Sequence, residues 1–321
     1  MRPILRSALR VLLATLASLA LLLGLAAAAI TQPTFGTVPA ADGPKADPNR
    51  LRGHVELLTT AVSPRDANHP ENLDRAAAYL RDHFSKTGAR VREQTFEVRG
   101  RTYRNVIASF GPEKGPVLIV GAHYDSFGEF GANPGADDNA SGTAGLLELA
   151  RLLDGHPLAH RIELVAYANE EPPYFGSSWM GSAVHARSLQ GQEVEGMICL
   201  EMIGYFTDRQ PAPAWLFSLL YPNRGDFIAV AGRWADRDLT RRVKRALRGA
   251  LPAVSFTAPR SAGLDGSDQI NYWDLGIPAV MVTDTSFVRN PHYHTPEDTA
   301  ATLDYGRMAR VVDGVLNAVR H

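Results

Sequence analysis

Apolar positions along the chain change period several times, and each change marks an element. Leu73, Ala76, Ala77, Leu80 and Phe84 fall at helical spacing, so residues 72–86 predict an amphipathic helix closed by Gly88. Residues 51–61 read the same way. Residues 91–98 and 102–110 alternate instead, and Arg99-Gly100-Arg101 between them signals a hairpin. Residues 116–122, 162–168 and 195–200 are short and almost continuously apolar, as strands covered on both faces are. Residues 227–231 and 278–282 are read as strands too. Helices are expected over 144–153, 177–189, 236–250 and 302–319. Residues 207–226, rich in Pro and aromatics and without a period, read as a loop over the site. Strands alternating with helices predict an α/β fold: one domain, residues 50–321, with a mostly parallel mixed β-sheet and helices on both faces.

The N-terminus is patterned differently. Arg2, Arg6 and Arg10 precede residues 11–30, an apolar run broken only by Thr15, Ser18 and Gly24. Residues 1–30 therefore read as a signal peptide or an N-terminal membrane anchor. The length is enough to span a bilayer, whereas Ala26–Ala29 offers small residues for cleavage. Either outcome exports the body to the periplasmic or extracytoplasmic face, because the arginines stay inside. Residues 31–49 carry Pro33, Pro39, Pro44 and Pro48 with little apolar content and read as a linker.

Composition narrows the function classes. The chain has 321 residues and is 45% hydrophobic, enough for a substantial core. Its 33 Lys+Arg nearly cancel its 34 Asp+Glu, so no basic excess points to a nucleic-acid partner. The one cysteine, Cys199, sits in an apolar run and reads as a small buried hydrophobe.

Candidate chemistry collects just after the expected strands. The stretch 121–142, GAHYDSFGEFGANPGADDNASG, places His123, Asp125, Asp137 and Asp138 in a Gly-rich connection. Glu170 and Glu171 follow the strand at 162–168, Glu201 follows 195–200, and His292 and His294 follow 278–282. In an open α/β sheet the carboxyl ends of parallel strands line one crevice, so these groups can converge across the sequence. Two His with several carboxylates and no Cys suit zinc, and manganese or cobalt as well. His123, Asp137, Glu171, Glu201 and His294 can supply five ligands for two metals. Glu170 then remains free as a general base, taking a proton from the attacking water and passing it to the leaving amine. Asp138 is an open alternative to Asp137.

These stretches, GAHYDS, GADDNASG, ANEE, LEMIG and HYHTPEDT in that order, resemble the co-catalytic zinc aminopeptidases of the peptidase MH clan, to which glutaminyl cyclases are related. The resemblance covers roughly residues 90–320. It implies two Zn2+ per chain, with His123 and Glu201 on one ion, Glu171 and His294 on the other, and Asp137 bridging. It implies Glu170 as general base and Asp125 as the partner that orients His123. It also implies a cis peptide between the paired aspartates, Asp137 and Asp138. The implied activity is removal of an N-terminal residue from a peptide substrate. Two departures stand out: Ser267-Asp268-Gln269 replaces a Ser-Asp-His that relatives often carry, and Glu201 stands where many aminopeptidases have Asp. A glutaminyl cyclase-like acyltransferase and a catalytically inactive binding protein are the competing readings.

Other residues carry weaker expectations. Tyr293 is a hydrogen-bond donor to a developing oxyanion or a packing residue. Asp298 caps the last helix or fixes the His294 loop. Trp215, Phe217, Tyr221 and Trp234 are core or pocket wall. Arg224 and Arg233 are candidates for a substrate carboxylate.

Overall fold

Continuous apolar runs become central strands because both of their faces are covered. In the computed structural model, which describes residues 2–36, 38, 43–129, 131–212, 217–260 and 264–320, the strand β3 (Val117–His123) is buried at every position. Its neighbours β4 (Arg161–Tyr167) and β5 (Val194–Leu200) are buried over most of their length. The hairpin expected at the edge is present as β1 (Arg90–Val98) and β2 (Arg101–Phe110). With β6 (Ile228–Arg233), β7 (Ala253–Ala258) and β8 (Ala279–Thr283) they form one sheet in the order β1-β2-β4-β3-β5-β8-β6-β7.

The centre of the sheet is parallel: β4, β3, β5 and β8 all run the same way. β2 joins β4 antiparallel, β6 joins β8 antiparallel, and β7 lies parallel to β6 at the far edge. The mixed sheet thus has its antiparallel pairs outside a parallel core; the hairpin edge is as the sequence pattern predicts, and the antiparallel β6–β8 pair was not anticipated.

Helices cover both faces. On one face Leu118, Val120, Leu164 and Ile198 pack with side chains of α3 (Pro70–Phe84), α4 (Gly142–Leu153), α6 (Arg237–Leu247) and α8 (Tyr305–Arg320). There α2 (Pro48–Thr59) buries Leu51, Val55 and Leu58. On the other face Ile119, Val165, Met197 and Cys199 pack against α5 (Gly181–Ser188) and the short α7 (Gln269–Trp273). Cys199 is free and fully buried, as expected of a small core hydrophobe.

Four elements differ from the expectation, the short α7 among them, which was not anticipated. The edge strand β7 carries only a short, weakly apolar run and was not anticipated. The helix expected from 177 begins only at Gly181, because residues 177–180 form a tight turn, with Met180 N donating to Ser177 O. A Cβ at Gly181 would come within 2.1 Å of Asn105 Oδ1 and 2.6 Å of Ala168 O, so only glycine fits where this chain crosses the sheet. The 207–226 stretch carries an isolated bridge between Thr207 and Gly225 and one turn of 3-10 helix, Phe217–Leu219. Trp215 and part of the proposed linker lie outside the described residues. α1 (Arg2–Thr31) is a continuous helix that meets the body only at its C-terminal end, along β7.

The consequence for chemistry is an alignment of strand ends. His123, Tyr167, Leu200 and Thr283 terminate four parallel strands at the same end of the sheet. The loops that follow them meet there.

Candidate metal centre

Two groups of donors form at those strand ends and share one residue. His123, Asp138 and Glu201 present ligand atoms within 4.8 Å of one another, and so do Asp138, Glu171 and His294. Asp138 Oδ1 is 3.3 Å from His123 Nε2, and its other oxygen, Oδ2, is 3.1 Å from His294 Nε2. Glu201 Oε2 lies 3.4 Å from His123 Nε2, and Glu171 Oε2 lies 3.5 Å from His294 Nε2. Glu170 belongs to neither group, yet its Oε2 is 3.9 Å from His123 Nε2.

The shared residue is Asp138, not Asp137, and this corrects the expectation. Asp137 is fully buried and turned to other partners: Oδ1 accepts from Gly204 N at 2.9 Å, and Oδ2 accepts from Asn290 Nδ2 at 2.9 Å. Burial raises its carboxyl, as it raises that of Asp284 nearby. The cis bond moves by one position as well: it joins Asp138 to Asn139 rather than Asp137 to Asp138. Asn139 is fastened to the next strand, donating to Leu200 O at 2.8 Å and accepting from Gly142 N and Met202 N.

Each ligand candidate is held from behind. Asp125 accepts from the amides of Glu170 (3.2 Å) and Glu171 (2.9 Å), and its backbone oxygen is 3.2 Å from His123 Nδ1. It therefore fixes the Glu170-Glu171 turn as well as the imidazole. Asp298 accepts from Asp137 N and Asp138 N, so it anchors the connection that carries the shared aspartate rather than capping α8. Ser267 Oγ donates to Glu201 Oε2 at 2.5 Å. His294, at φ 58°, is sandwiched between the rings of Phe127 and Tyr293, with centroids 3.8 and 3.7 Å away.

Arg65 was missed by sequence reasoning. It is fully buried and donates to the carbonyls of Leu58, Tyr124, Pro134 and Gly135, which pins the 121–142 connection to the end of α2. Burial lowers its guanidinium to about 10, so it stays charged beside the carboxylates. Nothing in the polar loop around it sets it apart in the sequence. Gly135, at φ 57°, lets the same connection turn: a Cβ there would meet Asp138 O at 2.3 Å. The two substrate-carboxylate candidates stay away from the donors. Arg224 pairs with Asp208 and Asp226 on the surface, and Arg233 pairs with Asp236 at the opposite end of the sheet. His292 faces Tyr205 rather than the cluster.

The electrostatics suit divalent cations. Asp125, Asp138, Glu170, Glu171 and Glu201 are all buried, and isolated buried charges are costly. Burial pushes Glu170 well up, and burial with the Asp138 charge pushes Glu171 up to about 8. Asp138 goes the other way: burial would raise it, but hydrogen bonds to His123 and His294 hold it well below the usual carboxylate range. Burial alone would lower His294; Asp138 and Glu171 instead raise it to about 9. Glu171 Oε1 is buried with no hydrogen-bond partner, a free lone pair beside the second donor group. Nitrogen and oxygen donors in this proportion fit zinc.

Fold and donor set together define an α/β protein with a candidate two-metal centre at the ends of its parallel strands. The chain belongs to peptidase family M28, which it matches over residues 105–319. It is 48% identical over 298 residues to the uncharacterized protein YfbL of Escherichia coli K12, covering 89% of this chain and 91% of that one. It is 27% identical over 251 residues to leucine aminopeptidase 1 of Ajellomyces dermatitidis, covering 73% of this chain and 61% of that protein's length. The solved structure of Tannerella forsythia glutaminyl cyclase matches with a TM-score of 0.66 at 24% identity, over 87% of this chain and 99% of that one, a likeness of fold.

Two predictions follow from the donor geometry. Asp138→Asn should lower bound zinc, counted by mass spectrometry of the dialysed protein, while Asp137→Asn keeps the wild-type count; the reverse pattern would return the shared role to Asp137. The second concerns pH. Without a cation the folded protein holds protons that the unfolded chain releases, on Glu171 between its usual 4.5 and about 8 and on His294 between 6.5 and about 9. Both contributions favour folding at low pH and fade as pH rises through those folded values. Zinc displaces these protons, so the rise in Tm on adding zinc should grow from about pH 5.5 to about pH 8. An equal rise at both would contradict the assignment.

Proposed function

We propose that this protein is an exported, zinc-dependent aminopeptidase that hydrolyses the N-terminal peptide bond of a peptide. The observation that carries the reading is the Asp138 carboxylate, with one oxygen toward His123 and the other toward His294. His123 and Glu201 would hold one ion, Glu171 and His294 the other, with Asp138 between them. Such ions, when bound, polarise the scissile carbonyl and acidify water.

The chain's own residues supply the rest. Glu170 stands beside the donors without joining either group, and it lies in a buried site where burial raises its affinity for a proton. It takes a proton from the attacking water as the C–O bond forms, then delivers it to the leaving nitrogen as the C–N bond breaks. Asp125 keeps Glu170 in place by accepting from its amide. Phe127 and Tyr293 fix the His294 ring between them, so its nitrogen keeps one direction. Burial raises the Tyr293 phenol well above its ordinary value, so it stays protonated and able to donate.

A glutaminyl cyclase-like reaction is the second reading, favoured by the 99% of the Tannerella forsythia cyclase chain that the match covers. There Glu170 would take its proton from the N-terminal amine and pass it to departing ammonia. Aminoacyl-nitroanilides and glutaminyl peptides, assayed on one sample with its metal counted, separate the two. Turnover of nitroanilides with two zinc ions supports the peptidase, and pyroglutamyl product with one ion supports the cyclase. Glu170→Gln should lower kcat by about 100- to 10,000-fold with metal content intact. Undiminished turnover would remove Glu170 as the base.

A further inference from the structure

α1 leaves its apolar side chains uncovered, yet its last turn is fully partnered. Within Arg6–Thr31 the most apolar 18 residues have a mean hydropathy of 2.4, and none of them is buried. A helix end leaves four carbonyls without intrahelical partners. Here all four lie within hydrogen-bond distance of a donor, Ile30 O sharing the Thr257 hydroxyl with Ala29 O. Gln32 N donates to Ala28 O at 3.0 Å, and Gln32 Nε2 donates to Ala29 O at 2.7 Å. The Thr257 hydroxyl lies 2.5 Å from Ala29 O and 3.2 Å from Ile30 O. Lys244 Nζ and Ser255 Oγ both donate to Thr31 O at 2.7 Å. Lys244 also reaches Gln32 O, and Arg248 Nη1 donates to Thr34 O at 2.7 Å. Gln32 and Lys244 are buried in this junction. An ammonium at a helix C-terminus also complements the helix dipole. The body thus contributes Lys244 and Arg248 from and beside α6, and Ser255 and Thr257 from β7, to a socket occupied by the end of α1 together with Gln32 and Thr34.

The socket also sets a direction. β6 runs antiparallel to β8, and β7 runs parallel to β6, so the C-terminal ends of β6 and β7 lie opposite the end that carries the metal donors. Thr31 rests against Ser255 and Ala29 against Thr257, so α1 leaves the body past the C-terminal end of β7, away from the donors. Trp234 follows β6 at that same end; it is 50% exposed and donates its Nε1 hydrogen to Thr257 O. A half-exposed tryptophan beside an apolar helix exit is the placement favoured at a membrane interface. Residues 11–28, between Arg10 and the latched turn, span about 27 Å as a helix, close to the roughly 30 Å hydrocarbon core. Arg6 and Arg10 stand at its far end.

We propose that α1 is retained as a bilayer-spanning anchor whose last turn is latched into the corner of α6 and β7, holding the metal-donor end of the sheet away from a phospholipid surface. The proposal stands whichever reaction the site performs. The full chain, purified in detergent, tests it in vesicles of phosphatidylcholine and phosphatidylglycerol with brominated acyl chains. Its intact mass should include α1, and bromine should quench part of its tryptophan emission. That quenched part should be lost in Trp234→Phe. In Lys244→Met/Thr257→Val the latch opens, so protease cleavage between residues 32 and 47 should accelerate severalfold while the protein stays on the vesicles. A mature chain beginning near residue 30, undiminished quenching in Trp234→Phe, or unchanged cleavage in the double variant would each overturn it.

Discussion

The structure depends on confining five buried carboxylates to one end of a parallel sheet. Asp125, Asp138, Glu170, Glu171 and Glu201 sit around two imidazoles where water cannot screen them. Left without counter-charge they would repel one another, and burying each of them is costly. Much of the local architecture keeps each in one place. Asp298 and Asn139 fix the backbone on either side of Asp138, Asp125 fixes the Glu170-Glu171 turn, and Ser267 fixes Glu201. Arg65 adds a permanent positive charge behind the 121–142 connection and ties four carbonyls at once. A scaffold that holds ligands this firmly is pre-organised for cations that cancel the charge.

The fold was legible because its central strands are continuously apolar and its hairpin alternates, and both patterns follow from which faces are covered. The convergence of His123, Glu171, Glu201 and His294 was legible for a related reason: each follows a strand, and parallel strands end together. The choice between Asp137 and Asp138 was not legible. It depends on where Gly204 and Asn290 stand, 67 and 153 positions further on, since these satisfy the Asp137 carboxylate and leave Asp138 to face both imidazoles. Arg65 was hidden for the same reason, because its partners are backbone carbonyls that no side-chain pattern reveals. The edge strand β7 and the late start of α5 were missed where small residues and a close approach at Gly181, rather than periodicity, set the geometry.

The N-terminal segment shows a different relation between sequence and structure. Its composition announces a long apolar helix but not how it joins the body. The junction is built from polar side chains on an amphipathic helix and an edge strand, which the sequence offers only as ordinary surface residues. Burial of Lys244 and Gln32 gives those positions their meaning. The helix junction lies along the edge strand β7, and α1 leaves it toward the end of the sheet opposite the metal donors.

Anomalous diffraction at the zinc edge, from crystals of the zinc-loaded protein, tests the central claim most directly. Two peaks are expected, one on either side of the Asp138 carboxylate, the first beside His123 and Glu201 and the second beside Glu171 and His294. A single peak, or a pair centred on Asp137, would contradict it.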